Sequence, residues 1–128
     1  MEKFLAKYQV TMTVSQIDKN PNMTDMMDGA RHYRCVLRYH GRMLTVLFSQ
    51  GPAIRHSPEV AGVLDCLASD ASGVDATTSF EQWAEDMGYD TDIRKAERTW
   101  RAVEKQTAGL RRLLGSDAFD ELLEAERF

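Results

Sequence analysis

The charge of this chain changes sign abruptly within one stretch, Ser57 to Gly115, and no other sequence feature constrains the fold as strongly. Between Ser57 and Ile93 there is no Lys or Arg, and there are nine acidic residues: Glu59, Asp65, Asp70, Asp75, Glu81, Glu85, Asp86, Asp90 and Asp92. Seven basic residues follow: Arg94, Lys95, Arg98, Arg101, Lys105, Arg111 and Arg112. Three helix signals occur in a row here, so the sequence predicts a helical region with a marked electrical asymmetry.

The first two helix signals are a start motif and a capping box. Ser57-Pro58-Glu59 is typical of a helix start, because Ser caps free amides, Pro suits the first helical position and Glu favours the positive end of the dipole. Gly73 is the expected end of this helix. The spacing of Thr78 and Glu81 fits a capping box and predicts a short helix that ends at Gly88. The short helix is expected to bury Phe80, Trp83, Ala84 and Met87.

A long helix is predicted next, with Asp90-Thr91-Asp92 as its cap and Gly115 as its end. Its apolar residues are spaced three and four apart and form a narrow seam: Ile93, Ala96, Trp100, Val103, Thr107, Leu110 and Leu114. Such a seam packs against the sheet of the same chain or, in a homodimer, against a partner helix. Ser116 is expected to cap a last helix that turns Phe119, Leu122 and Leu123 inward.

The first half of the chain alternates with a period of two, which is typical of strands with one buried face. The pattern covers Tyr8 to Val14, Tyr33 to Tyr39 and Met43 to Phe48. Gly41-Arg42 between the last two predicts a two-residue type II′ hairpin turn with Gly41 at its first central position. Residues 18–32, which include three methionines, are expected to form a long loop.

Together these signals predict an α+β fold in which a three-stranded antiparallel sheet packs against three to four helices. The length of 128 residues favours a single domain, with residues 1–49 as its sheet half and 57–128 as its helical half. No apolar run approaches the ~18–20 residues that a membrane span needs. The first residues do not form a signal peptide either, so we expect a cytoplasmic protein that does not enter a membrane.

Candidate catalytic and metal-binding residues are sparse. His32-x-x-Cys35 resembles half of a metal site, but no second pair stands at ligand spacing, and exposed turn histidines are the preferred interpretation. Cys66 is expected to be a buried, inert thiol, and both cysteines are expected to be reduced, with a disulfide between them as the alternative. There is no phosphate loop or nucleophile elbow. We therefore predict no catalytic residue, no metal and no cofactor, and keep a metal-dependent enzyme as a third alternative.

Two charged sets are candidate binding surfaces. Their positions along the long helix place Arg94, Arg98, Arg101, Lys105 and Arg112, the basic stripe, on one face that is distinct from the apolar seam. The acidic set consists of Asp65, Asp70, Asp75, Glu81, Glu85 and Asp86. Both sets can simply be solvated or neutralise each other, with local pairs such as Glu97–Arg101. Alternatively, the stripe binds phosphates. In a further alternative the acidic set instead occupies a groove built for nucleic acid.

The run Val63-Leu64-Asp65-Cys66-Leu67-Ala68-Ser69-Asp70-Ala71 resembles a group of small phage and prophage proteins. The resemblance extends from the second strand onward and continues at Phe80, Trp83, Gly88, Tyr89, Asp92, Arg94, Lys95, Ala96 and Glu97. Ile93 and the loop Gln50 to His56 depart from that pattern. The resemblance implies a small non-enzymatic protein of a mobile element, and such proteins are often inhibitors of host defence, with anti-CRISPR proteins as the best-known group.

The resemblance and the charge blocks together predict a stoichiometric inhibitor of a host defence complex that acts by binding its surface. The expected partner is a host protein or ribonucleoprotein, such as a CRISPR surveillance complex. The alternative is a phage accessory protein that binds nucleic acid through the basic stripe. The net charge of −4 makes nucleic acid the less favoured partner.

Overall fold

The computed structural model describes residues 1–22, 28–75, 79–88 and 94–127. Within these ranges the elements are α1 (Glu2–Tyr8), β1 (Thr11–Ile17), β2 (Arg31–Tyr39), β3 (Arg42–Gln50), α2 (Val60–Asp75), α3 (Phe80–Asp86), α4 (Arg94–Leu114) and α5 (Ser116–Arg127). The predicted α+β class with a three-stranded antiparallel sheet is confirmed. The chain divides into two compact units, here called the sheet unit (Met1–Leu64) and the helical unit (Asp65–Phe128). The expectation of one domain stays a prediction.

The sheet unit is built on a meander, in which strands that follow one another in sequence are hydrogen-bonded neighbours. Both strand pairs are antiparallel, and the register of the second places Cys35 opposite Val46. Along β2, Cys35 and Leu37 are buried, whereas Arg34 and Arg38 are exposed. This alternation confirms a strand with one buried face.

The turn between β2 and β3 differs from the predicted one. Tyr39 pairs with Arg42, so the two loop residues are His40 and Gly41. Both have positive φ, 49° at His40 and 77° at Gly41. This combination defines a type I′ turn, because a type II′ turn has positive φ only at its first central residue. The predicted type II′ turn is wrong because Arg42 belongs to β3 and the loop starts one residue earlier.

The chain starts with a helix that the sequence pattern did not predict. α1 includes Tyr8 and ends at Gln9, whose backbone is left-handed with a φ of 40°. Phe4 and Tyr8 lie one helical turn apart with their ring centroids 4.8 Å from each other. β1 therefore begins at Thr11 and not at Tyr8. The alternation was extended too far because Tyr8 has the right spacing to continue the strand pattern across the left-handed break.

A small polar network attaches residues 18–22 to the end of the sheet. Buried Asn20 donates from Nδ2 to Ser49 Oγ over 3.0 Å, and its Oδ1 accepts the backbone N–H of Asn22 over 3.0 Å. The Nδ1 atom of His32 lies 2.8 Å from the same Ser49 Oγ. The predicted loop is shorter than expected, because β2 starts at Arg31. Its methionines at positions 23, 26 and 27 lie outside the described residues.

The bounds of α2 differ from the predicted ones at both ends. The helix begins at Val60 and the carbonyl of Glu59 accepts the N–H of Val63 over 3.0 Å, so Glu59 and not the predicted Ser57 takes the cap position. It also continues past Gly73, the predicted end, to Asp75. A Cβ at Gly73 would lie 2.8 Å from Met87 Cε. Gly73 thus makes room for a neighbouring side chain and does not end the helix.

The cap of α3 lies one residue later than predicted. Ser79 is the N-cap, and its side chain accepts a 3.2 Å hydrogen bond from a backbone N–H of the first turn. Thr78, the predicted cap, lies outside the described residues. Trp83 and Ala84 are buried as predicted, but Met87 is 49% exposed, which corrects its expected burial. Met87 follows the last helical residue, so the helical period does not fix its side.

The apolar seam of α4 is confirmed at four of its described positions, whereas Trp100 and Val103 are half-buried. Ala96, Thr107, Leu110 and Leu114 are buried in the single chain, and α3 and α5 both pack against α4. The buried part of the seam is therefore covered by helices of the same unit, and the homodimer stays a prediction. Ile93 and the predicted cap, residues 90–92, lie outside the described residues.

Gly115 ends α4 as predicted, with a φ of 81°. Its carbonyl accepts the N–H of Phe119 over 3.0 Å, so Gly115 and not Ser116 precedes the first turn of α5. The inward positions of the last helix are confirmed, since Phe119, Leu122 and Leu123 are all buried.

Candidate functional site

The basic stripe is a continuous exposed face of α4. All five of its side chains are exposed: Arg94, Arg98, Arg101, Lys105 and Arg112. At about 100° per residue they lie within about 60° of one another on the helix surface. At 1.5 Å per residue they extend over about 27 Å. Because the buried seam lies on the opposite side of α4, packing of the helix fixes the rotation that turns the stripe outward.

The start of the stripe forms an open groove of about 450 Å³, lined by Arg94, Glu97, Arg98 and Arg101. The Nη2 atom of Arg101 donates to Glu97 Oε1 over 2.6 Å, one turn away on the same helix. Arg94 and Arg98 have no ion-pair partner within the described ranges. The groove therefore has three guanidinium groups and a single carboxylate, which is already shared with one of them.

The acidic set does not form one surface, because two of its members are used inside the helical unit. Asp70 accepts a 3.2 Å hydrogen bond from Gln106 Nε2. Asp75 accepts from Arg111 Nη2, with 3.0 Å to one carboxylate oxygen and 3.3 Å to the other. Both contacts join α2 to α4. Asp70 and Asp75 thus stabilise the helix packing, and their assignment to a partner-binding surface receives no support from their positions.

The carboxyl group of Asp70 is partly removed from solvent, and this changes its pKa. Loss of solvent raises its pKa above the ordinary value, and the hydrogen bond from Gln106 opposes this rise. A partly buried carboxylate with one neutral donor is a structural group whose charge is costly, and it is poorly suited to attract a cationic partner.

The remaining members of the acidic set are exposed. Glu81, Glu85 and Asp86 follow one another on α3, and Asp65 lies on the exposed side of α2. In the part of the chain that the structure describes, none of these four has an ion-pair partner. Glu81 and Glu85 are four residues apart and share a helix face. The acidic surface available to a partner is thus smaller than predicted and is concentrated on α3.

The two cysteines are free thiols with different surroundings. Burial raises the pKa of Cys35 to about 11, so this thiol is not reactive at neutral pH. Cys66 is exposed, which corrects its expected burial. Neighbouring atoms still remove enough solvent from its thiol to raise its pKa, and the charges of Asp70 and Asp65 raise it further. A thiol with a raised pKa is a poor nucleophile.

His32 and Cys35 do not form a metal site together. They are three residues apart on β2, so their side chains point to opposite faces of the sheet. No group of three or more His, Cys, Asp and Glu side chains gathers at metal-binding distance among the described residues. The His32–Ser49 contact has the spacing of a base and a nucleophile, but Ser49 also accepts from buried Asn20. The simpler interpretation is a polar network that secures the preceding loop.

A second cationic site lies at the hairpin end of the sheet unit, and the sequence analysis did not find it. This hairpin cleft has a volume of about 500 Å³ and is lined by residues of α1, of the start of β1 and of the β2–β3 hairpin. Its lining includes Lys7, Arg38 and Arg42 together with the rings of Tyr8, Tyr39 and His40, and it includes no acidic residue: Gln9, Thr11, Gly41 and Met43 complete it. The alternation of basic and ring residues in Tyr39-His40-Gly41-Arg42 was the available signal.

Comparison of the chain with protein-family models, with curated proteins and with solved structures finds no match. No helix among the described residues is both long and apolar enough to cross a membrane. The features that bear on function are therefore the charge and geometry of the basic stripe, of the exposed α3 carboxylates and of the hairpin cleft.

Proposed function

We propose that this chain is a non-enzymatic binding protein that contacts nucleic acid through the basic stripe of α4. The observation that carries the proposal is the exposure of five cationic side chains on one narrow face of a single helix. Only Arg101 of these five has an ion-pair partner within the described ranges. Four of the five are arginines, whose planar guanidinium groups bind phosphate oxygens in pairs.

The dimensions of the stripe suit a phosphate backbone. A face of about 27 Å on an α-helix with one cation per turn at its start can lie along a groove edge and contact several phosphates at once. If four phosphates are neutralised, the logarithm of the affinity falls with the logarithm of the salt concentration with a slope of about −3.6. The acidic remainder of the helical unit repels nucleic acid at a distance, so binding is expected to be strong only at low salt.

The test is a titration of labelled duplex DNA and duplex RNA by fluorescence anisotropy at about 50 mM and about 200 mM salt. The stripe variant carries Arg94→Gln, Arg98→Gln and Lys105→Gln, which keep long side chains with good helix propensity. The control carries Arg34→Gln and Arg55→Gln, two exposed arginines of the sheet unit. We expect the stripe variant to lose at least about tenfold in affinity and most of the salt slope.

The control separates local binding from a general effect of charge. If the control variant loses as much affinity per removed charge as the stripe variant, the chain attracts nucleic acid without a defined surface. If the unmodified chain does not bind either duplex at low salt, the proposal is wrong.

A second candidate function is inhibition of a host defence complex, and the exposed α3 carboxylates favour it. Glu81, Glu85 and Asp86 present three negative charges without an ion-pair partner in the described residues. Such a patch is complementary to the cationic groove in which a defence ribonucleoprotein holds nucleic acid. The resemblance to small phage and prophage proteins supports the same proposal. In this case the chain acts stoichiometrically by covering the groove.

This second function is tested by co-purification with CRISPR surveillance complexes and by a plaque assay in a strain that carries the matching defence. The variant is Glu81→Gln, Glu85→Gln and Asp86→Asn. Its matched control is Asp117→Asn, Asp120→Asn and Glu124→Gln, which removes the same charge from exposed positions of α5. We expect the α3 variant alone to lose the complex and the protection of phage. Absence of both with the unmodified chain rejects the inhibitor function.

A further inference from the structure

We propose that the hairpin cleft of the sheet unit binds a nucleoside phosphate unit, with the base against the rings of the turn and the phosphate on Arg42, which pairs with Tyr39 across the hairpin. The cleft lies entirely within the sheet unit and shares no residue with the basic stripe. The inference is therefore independent of the function proposed for α4, although the chemistry of the two ligands is related.

The electrostatics of the cleft favour an anion. Three cationic side chains and no carboxylate line it, in a chain whose net charge is −4. Arg42 lies on the same face as Tyr39, with its guanidinium carbon 5.8 Å from the centroid of the Tyr39 ring. Arg38 lies on the opposite face, where its Nη1 donates to Thr13 Oγ1 over 3.0 Å, so it adds positive charge to the cleft without being a phosphate ligand beside Arg42. An arginine that is oriented against a ring, as Arg42 is, loses less side-chain entropy when it binds a phosphate.

The rings of the cleft form a platform of the kind that binds a base. His40 stacks on Tyr39 with 4.1 Å between ring centroids and 27° between planes. Tyr8 meets Tyr39 edge to face at 6.2 Å. His40 is itself exposed, and beside it Met43 is 64% exposed, the largest exposure among the described large hydrophobic side chains. A flat heterocycle such as a nucleic-acid base can stack on the exposed ring and cover the exposed thioether.

The backbone geometry of the turn does not require a histidine at position 40, which favours a separate role for the His40 ring. His40 has a φ of 49° in a type I′ turn, for which Asn and Gly are the preferred residues. Histidine tolerates this region better than most residues, but its ring contributes nothing to the turn geometry. The ring instead extends the surface of Tyr39 into the cleft. A turn optimised for stability alone would have Asn at this position.

An acidic peptide is the competing occupant, because it too would be attracted by three cations. Its acidic side chains would not bind the stacked rings or the exposed thioether of Met43. A nucleoside phosphate uses both halves of the cleft, so the ring geometry favours it. The ligand can be a free nucleotide or one unit of a single strand, and the experiment must distinguish these sources.

The experiment uses the full chain with the stripe variant as background, extended by Arg101→Gln and Arg112→Gln so that all five cations of the stripe are removed. Calorimetric titrations are made with AMP and UMP, with oligouridylate of about ten nucleotides, and with an Asp/Glu-rich peptide. Two substitutions probe the cleft: His40→Asn removes the ring and suits the turn, and Arg42→Gln removes a cation. Arg34→Gln is the matched control, since Arg34 is exposed on the same strand and the same face as Arg38 but does not line the cleft.

We expect His40→Asn to weaken binding of the oligonucleotide by about tenfold without lowering the melting temperature. Arg42→Gln should weaken it about fivefold, and Arg34→Gln should stay within about twofold. Binding of AMP and UMP with the same dependence on His40 identifies a nucleotide site, and binding of the oligonucleotide alone identifies a single-strand site. The proposal is overturned if none of the nucleotides binds, or if the acidic peptide binds equally well and His40→Asn changes nothing. Such a result leaves the function proposed for α4 untouched, because the stripe is absent from this experiment.

Discussion

The two units of this chain carry opposite net charges, yet each has a cationic surface. The sheet unit has eight Lys and Arg against five Asp and Glu, a net charge of +3, and the helical unit has eight against fifteen, a net charge of −7. The basic stripe belongs to the strongly acidic unit. It exists there because a helical period sorts charges by face, so that net charge says little about which ligand a given face can bind.

The two cationic surfaces also differ in how they are built. The stripe comes from one helix, and its geometry follows from residue spacing alone. The hairpin cleft needs the end of α1, the start of β1 and the turn between β2 and β3 to come together. The comparison teaches that a surface within one element survives local changes in the rest of the fold, whereas a surface made by several elements depends on their register.

The variant with the largest expected effect on stability tests whether the two units unfold together, as they must if the chain is a single domain. Leu110→Ala removes a fully buried side chain from the α4 seam and should lower the free energy of unfolding by about 2–5 kcal/mol. Both tryptophans, Trp83 and Trp100, lie in the helical unit, and the buried thiol of Cys35 lies in the sheet unit. Urea unfolding followed by tryptophan fluorescence and by labelling of Cys35 therefore reports on each unit separately.

For a single domain, both signals should shift by the same amount in the Leu110→Ala variant. Lys105→Ala on the exposed face of α4 is the control and should change the stability by less than about 0.5 kcal/mol. If fluorescence shifts while Cys35 labelling keeps its midpoint, the units are independent domains.

Two neighbouring arginines of α4 separate structural from binding roles. Arg111 pairs with Asp75 at 3.0 Å, and its guanidinium carbon lies 4.4 Å from the centroid of the Phe119 ring. Arg112 is a member of the basic stripe. Arg111→Gln should cost about 1 kcal/mol of stability, because the half-exposed ion pair and the cation–π contact are each modest. Arg112→Gln should cost almost nothing but lower the affinity for duplex nucleic acid.

Denaturant titration and fluorescence anisotropy on the two variants give both quantities. The reverse outcome, in which Arg112→Gln lowers stability and Arg111→Gln lowers affinity, would contradict the division of α4 into a packing side and a binding side.

The same substitution of glycine should have opposite effects in the two units. Gly41 has a φ of 77° in the hairpin turn, so Gly41→Ala should destabilise by about 1 kcal/mol. Gly73 lies within α2, where Ala is the better helix former by up to about 1 kcal/mol. Its new Cβ would lie 2.8 Å from the end of the flexible, half-exposed Met87 side chain and at an ordinary contact distance of 3.9 Å from Trp83 Nε1. Gly73→Ala should therefore raise the melting temperature slightly.

The two melting temperatures, measured by circular dichroism, check the prediction. A loss of stability in Gly73→Ala as large as that in Gly41→Ala would show that Met87 cannot move away from the contact.

The smallest effect concerns pH. Burial raises the pKa of Asp70 in the folded state above its ordinary value. The folded state therefore binds this proton more tightly than the unfolded state, and the contribution of Asp70 to stability falls as the pH rises through its folded pKa. Asp70→Asn, which can still accept from Gln106, should stabilise the protein at pH 7 and have progressively less effect towards pH 3.

Asp65→Asn is the control, since Asp65 is exposed on the same helix. Denaturation midpoints across this pH range should diverge for Asp70→Asn and run parallel for Asp65→Asn. A constant difference for Asp70→Asn would mean that the carboxyl group does not titrate differently in the folded and unfolded states.

The parts of the fold that the sequence predicted are those with a long, uninterrupted period. The α4 seam and the alternation of β2 extend over enough residues to define a buried side, and glycine marks the end of α4 at Gly115. α1 was missed because its seven residues contain too few apolar positions to show a helical period. The cap of α3 was placed one residue early because Thr78 and Ser79 are both competent caps.

The candidate sites show the same limit. The exposed stripe was predicted because its geometry is local. The hydrogen bonds that Asp75 and Asp70 accept were not predicted, because their donors on α4 lie 36 residues away in sequence. The hairpin cleft was missed for a related reason: the position of the turn decides whether His40 or Arg42 occupies the loop, and the alternation of β2 and β3 fits both possibilities.

The meander of the sheet unit has a consequence for how the chain acquires its structure. Every strand of this sheet pairs with the strand next to it in sequence, and the last of them ends at Gln50. Contacts that are close along the chain form with little loss of loop entropy and give fast folding. All inter-strand hydrogen bonds of the sheet thus join residues between Thr11 and Gln50, so the sheet can form without any residue of α2 to α5.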